Sequence, residues 1–164
     1  MRTLITAWFG LLALAGSASP VAAQSVDQNK EQCVGGASAD LRVEGCTALI
    51  KSSQVSGRSL AAVYGLRGVA YLDSKDYDHA IADFNETISI NPGDYEAFNE
   101  RGIAYHHENK DKRAIADYDE AIRLSPQTVR AYLNRSVAET ALGRTAQSEA
   151  DLAKAHSIDP NAGK

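Results

Sequence analysis

The side chains able to do chemistry in this chain are few, and their spacing limits what they could do. There are four histidines, His79, His106, His107 and His156, and two cysteines, Cys33 and Cys46. His106 and His107 are adjacent, so on a helix they diverge by about 100° and do not share one metal. The other two histidines lie far along the chain, and a zinc site needs three or four converging ligands. No HExxH, no nucleophile elbow, no phosphate-binding glycine loop and no dinucleotide fingerprint is present. A third group is more orderly. Arg67, Arg101 and Arg135 recur at a fixed interval, and Asp83, Asp117 and Asp151 recur sixteen positions after each. Arginine is suited to two-pronged carboxylate contacts. Each Arg is therefore expected to cross to a second helix, or to a neighbouring unit, and pair with an Asp. The alternative is that both are solvated.

Those positions belong to a repeat. Shifted by 34 residues, the chain matches itself: Pro92, Pro126 and Pro160 coincide, as do Gly68, Gly102 and Ser136. Tyr64, Phe98 and Tyr132 fall together, and so do Phe84, Tyr118 and Leu152. Ala80 matches Ala114, and Thr87, Ala121 and Ala155 share a place. Within each copy, large residues recur at helical spacing on one face. A polar turn such as DSKDYD or ENKDK follows, then a second helix ended by proline, which drives the preceding residue out of helical angles. The small residues at 68 and 102 let two helices approach closely.

A 34-residue period with this order of aromatic, small, aromatic, Ala, aromatic, Ala and Pro resembles the tetratricopeptide repeat. The resemblance covers residues 61–94, 95–128 and 129–162. It implies an all-α fold: a right-handed superhelix of helical hairpins, with three full repeats. The third copy is degenerate, with Glu139 where Tyr71 and Tyr105 stand and Ser148 where Ala80 and Ala114 stand. The family often adds a closing helix, but only NAGK follows here. The last hairpin is then expected to be polar on its open side, or to meet another chain in a homo-oligomer.

The ends have their own signals. Residues 1–23 have a positive start at Arg2, an apolar run from Leu4 to Ala15 and small residues up to Ala23. This is the layout of a secretory signal peptide cut before Gln24. The run is short for about 30 Å of hydrocarbon, so no membrane span is expected after cleavage. Export to a periplasmic or extracellular setting would favour a Cys33–Cys46 disulfide over a reactive thiol or a metal site. Residues 24–60 are expected to cap the stack. Within them, 40–52 reads as one helix, with Asp40 as N-cap and Leu41, Cys46, Leu49 and Ile50 on one side, resembling the second helix of a repeat whose first helix is missing.

In the family, the first helices line a concave groove that takes a peptide or a partner helix. Carried across, the groove positions are Gly65, Leu66, Val69 and Leu72; Glu96, Asn99, Glu100, Ile103 and His106; and Arg130, Leu133, Asn134, Val137 and Thr140. Val69, Ile103 and Val137 form a ladder that could meet a partner or simply pack between helices. Members that clamp a terminal carboxylate use positions occupied here by Gly65, Val69, Glu100, Arg130 and Asn134. Only Arg130 keeps a positive charge, and Glu100 would repel an anion. The net charge of -4 offers no basic field for nucleic acid. The expectation is a non-catalytic adaptor for a protein or peptide, with no cofactor and no metal. The alternatives are a small-molecule or metal-binding protein using His106 and Glu96, or an enzyme with an unfamiliar site.

Overall fold

The computed structural model describes residues 25–163, and the leader expected over residues 1–23 lies outside them. Eight helices follow in order: α1 (Val26–Gly35), α2 (Ala39–Lys51), α3 (Gly57–Asp73), α4 (Tyr77–Ile90), α5 (Tyr95–His107), α6 (Asp111–Leu124), α7 (Val129–Ala141) and α8 (Thr145–Ile158). They pair as hairpins α1–α2, α3–α4, α5–α6 and α7–α8. Each second helix also packs on the next first helix, and successive first helices touch. No strand occurs among the described residues.

The three turns inside the repeats are copies of one another. Lys75, Asn109 and Gly143 hold the same place, each with positive φ (63°, 59° and 72°). The next amide in each turn donates back to the first helix: Asp76 to the Tyr71 carbonyl (2.9 Å), Lys110 to Tyr105 (2.8 Å) and Arg144 to Glu139 (2.9 Å). After each second helix comes the proline turn. There Asp94 donates to Asn91, Thr128 to Ser125 and Ala162 to Asp159. The third such turn folds the end of the chain inward, so that Ala162 is buried beside Tyr132 and Ala155.

The core is a row of small clusters between hairpins. Phe84 lies against Gly68 with Ala80, Ala97 and Ala104 around it, and Tyr118 does the same beside Ala114 and Ala138. Burying a side chain of this size contributes roughly 1.5–3 kcal/mol. The Arg–Asp expectation holds in all three copies. Arg67 donates from Nε and Nη2 to both oxygens of Asp83 (2.8 Å each). Arg101 does so to Asp117 (2.8 and 2.7 Å), and Arg135 to Asp151 (2.8 and 2.6 Å). The remaining nitrogen, Nη1, reaches the second helix of the preceding hairpin: Thr47 (2.9 Å), Asn85 (2.6 Å) and Asp119 (2.5 Å) in turn. Each Arg thus ties three helices. Each guanidinium also lies over the preceding aromatic, Tyr64, Phe98 or Tyr132, at 5.4–5.7 Å. The hydrogen bonds to Asp push the pKa of Arg67 and Arg135 above the usual arginine value. For Arg101 burial acts first and downward, and Asp117 outweighs it to give a net rise.

The N-terminal segment differs from the single-helix expectation. A first helix is present: α1, started by Ser25, whose hydroxyl accepts from the Gln28 amide while the Gln28 side chain accepts from the Ser25 amide. The cap of α2 is Ser38, not Asp40, because the Ser38 hydroxyl is the one that accepts from the Leu41 amide. Leu41 is exposed, while Cys46 and Leu49 are buried. Cys33 of α1 and Cys46 of α2 are joined by a disulfide.

Candidate functional site

The first helices α1, α3, α5 and α7 stand side by side and make one wall of the stack. Its best-defined feature is a polar junction between α5 and α7. Asn134 donates to the Asn99 side-chain carbonyl (2.9 Å), and Asn99 donates in turn to Glu100 (3.3 Å). Arg130 donates to the same Glu100 oxygen (2.6 Å). Asn99 is only 3% exposed. The ion pair is lopsided: the Glu100 side chain sits in the floor, 15% exposed, and Arg130 lies over it, 67% exposed. Beneath them Tyr118 fills the space between helices. Burial, and then the nearby carboxylates of Glu100, Asp117 and Asp111, push its hydroxyl pKa well above the usual tyrosine value. Glu96 lies exposed on the same wall, and the Tyr95 hydroxyl donates to it (3.3 Å). The Glu96 charge raises the Tyr95 pKa.

The positions carried over from the family divide into three kinds. Glu100, Arg130 and Asn134 face one another on the wall. Asn99 joins them from within, as a buried brace and not a surface contact. Val69 and Leu72 pack against the Phe84 cluster, Ile103 against the Tyr118 cluster, and Leu133 against Tyr132. Val69 and Ile103 are only partly buried by this packing. Val137, on the last described first helix, is 53% exposed.

The open side of α7–α8 is partly polar. Glu149 and His156 stand where the earlier copies have Ile81, Ile115, Ile88 and Ile122, which pack between hairpins. Leu152, at the place of Phe84 and Tyr118, is left 38% exposed. Glu139, at the place of Tyr71 and Tyr105, is buried and paired with Arg144 (3.1 Å).

Three of the four histidines have partners of other residue types. His106 bonds to Asp111 (2.5 Å), and His107 stacks on Tyr77 (5.0 Å). His79 stacks on Tyr71 (5.1 Å) and bonds to Asp76 (2.8 Å). Among the described residues, no three His, Cys, Asp or Glu side chains are gathered as a metal would require. Glu96 and His106 each have their own neighbour, Tyr95 and Asp111. Among the described residues, no helix is long and apolar enough to cross a membrane.

A profile described as the tetratricopeptide repeat matches residues 66–128 and 112–162. Among curated proteins, no sequence relative matches significantly. Solved structures do. The first repeat domain of Spaghetti (RPAP3) bound to the HSP90 peptide SRMEEVD is 25% identical, with a TM-score of 0.62, over 65% of this chain and 84% of that one. The TPR2B domain of yeast Sti1 in a complex with pHsp70 is 29% identical, with a TM-score of 0.60, over 60% and 79%. MamA, at 20% identity and a TM-score of 0.71 over 82% and 76%, shares the fold.

Proposed function

The chain belongs to the tetratricopeptide-repeat family, and from that premise we propose that it is an adaptor whose first-helix wall holds a peptide or helix of a partner protein, without catalysis of its own. Domains of this family are protein–protein interaction modules and generally non-catalytic scaffolds; of the similar structures, one is bound to an HSP90 peptide and one is in a complex with pHsp70. The observation that carries the proposal for this chain is the α5–α7 junction. Glu100, Arg130 and Asn134 present a donor-and-acceptor strip on the wall, braced from behind by buried Asn99. A strip of this kind suits a peptide backbone or a polar side chain.

The choice of ligand follows from charge. At the places where related clamps hold a terminal carboxylate, Gly65 and Val69 offer no donor, and the one positive charge, Arg130, is already paired with Glu100. The proposed ligand is therefore an internal or neutral-to-cationic segment, not an acidic chain end. The leader-like residues 1–23 and the disulfide support work in a periplasmic or extracellular setting, as an exported protein.

Site-specific photo-crosslinking in the native cell tests this. Probes at Leu66 and Arg130, on first helices, are expected to give one shared adduct. Probes at Glu86 and Lys112, exposed on second helices, are expected to give none. Adducts from the second-helix probes alone would reverse the assignment.

A further inference from the structure

The N-terminal hairpin is held together differently from the other three. Its first helix, α1, buries only Asn29 and Cys33, with Val26 partly covered. Elsewhere an aromatic or a run of alanines seats the first helix; here the disulfide does. Cys33 and Cys46 are 1% and 0% exposed and form the centre of a small cluster with Leu49 and Val63. The seam is also tight. A β-carbon on Gly45 would come within 2.7 Å of the Cys33 amide nitrogen and 2.8 Å of the Asn29 carbonyl. Two buried amide oxygens along it, Asn29 Oδ1 and Gln32 Oε1, make no hydrogen bond. An unmade bond of that kind costs free energy, and opening the seam to water restores it. The disulfide is thus the centre of what holds α1 docked, with little apolar side chain from α1 itself beside it.

We infer that the Cys33–Cys46 bond is a redox latch: oxidised, it docks α1 and gives the wall four first helices; reduced, it releases α1 and leaves a three-hairpin stack from α3 onward with α2 as its uneven end. The step balances with a dithiol reductant. One reductant thiolate attacks a cysteine sulfur and the S–S bond breaks. The second reductant thiolate then attacks the reductant sulfur of the mixed disulfide and expels the remaining cysteine thiolate, and the protons given up by the two reductant thiols go to the two cysteines. The reductant leaves as its own disulfide, and Cys33 and Cys46 each end as a protonated thiol. Access comes through local opening of α1, whose buried face has little apolar anchor, without unfolding of the stack. Release uncovers Gly45, Cys46 and Leu49 and removes the wall neighbour of α3. The inference depends on how α1 is packed, not on what the groove binds.

Hydrogen–deuterium exchange of the full chain tests it, before and after excess dithiothreitol under native conditions, with thiols titrated in parallel. Two thiols per chain are expected to appear. Amides of Val26–Gly35 should exchange about 100-fold faster, the size that the lost cross-link of such a loop gives, while those of α5 to α8 change little. The pair Cys33→Ala/Cys46→Ala should reproduce the released state without reductant. Cys33→Ser/Cys46→Ser should do the same, which separates loss of the bond from loss of apolar volume. Continued protection of α1 in the reduced chain would overturn the latch. So would a bond that yields only when the whole array unfolds, or loss of protection throughout α5 to α8 on reduction. Failure of these outcomes leaves the proposed groove untouched, because crosslinking at Leu66 and Arg130 reads a different part of the wall.

Discussion

Gly102 and Tyr118 meet so closely that a β-carbon on the glycine would come within 2.5 Å of the tyrosine ring. The first copy repeats the relation with Gly68 and Phe84. The third changes both partners together: Ser136 has a β-carbon and Leu152 has no ring. The size of one side chain is thus matched to the absence of the other. Gly102→Ala should lower stability by roughly 1–3 kcal/mol through overpacking. Converting the pair to the third copy's solution, Gly102→Ser with Tyr118→Leu, should cost less than the two single changes added together. Denaturant unfolding of the four proteins measures it; simple additivity would contradict the matching.

The Arg–Asp ties lead to a second expectation. Side chains of Arg101 and Asp117 are 17% and 9% exposed and joined by two hydrogen bonds. Removing Arg101 leaves a poorly solvated carboxylate, so Arg101→Ala should cost about 3 kcal/mol. Arg101→Ala/Asp117→Ala should recover part of the loss. A double-mutant cycle with no coupling would show that the pair is merely adjacent.

These two relations also show what could be read in the chain itself. The prolines, aromatics and small residues at a 34-residue period give the hairpins because each has a mechanical job within its own copy. The Arg–Asp pairing was legible too, since sixteen residues link the two helices of one hairpin. The third contact of each Arg was not, because Thr47, Asn85 and Asp119 lie in the preceding hairpin and Thr47 is out of register with the other two. Helix α1 was hidden for a related reason. Its buried face is an asparagine and a cysteine, so it carries no apolar stripe, and the Ser25–Gln28 reciprocal cap was its one local signal. Asn99 reads as a surface contact in the sequence because it is a polar residue on a first helix. Its burial comes from contacts with α7 that no single helix displays.

The repeated turn gives a third test. Lys75 adopts positive φ where the third copy has Gly143. A side chain in that region costs about 1 kcal/mol or more relative to glycine. Lys75→Gly should therefore raise the thermal midpoint, while Gly143→Lys should lower it. Opposite signs would mean that the Lys75 side chain contributes more than its backbone strain.

Alkaline behaviour follows from Tyr118. Its pKa is raised in the folded state, so the folded protein favours the protonated form more than the unfolded chain does. The stability linked to this group is fully present below about pH 10, the ordinary tyrosine value, and is lost as pH rises beyond it. Tyr118→Phe copies Phe84 at the equivalent position and should fold. Thermal midpoints of the two proteins should run parallel from pH 7 to about 9.5. Above that range the wild-type should fall more steeply. Parallel curves to higher pH would remove Tyr118 as the cause.

The charge argument for the groove predicts exclusion of acidic chain ends. SRMEEVD, the peptide carried by the similar Spaghetti domain, should bind more weakly than about 1 mM. Glu100→Lys should improve its binding, since the repelling charge at that clamp position is reversed. Micromolar binding to the unaltered chain in fluorescence anisotropy would refute the reading of Glu100.

The central claim is that the first-helix wall is the docking surface. Its most direct measurement is a map of amide chemical shifts on the isotope-labelled protein as the segment crosslinked at Leu66 or Arg130 is titrated in. Saturable changes concentrated on α3, α5 and α7, and abolished by Arg130→Glu with Asn134→Ala, are the result expected. Changes confined to α4, α6 and α8, or unaffected by those substitutions, would contradict it.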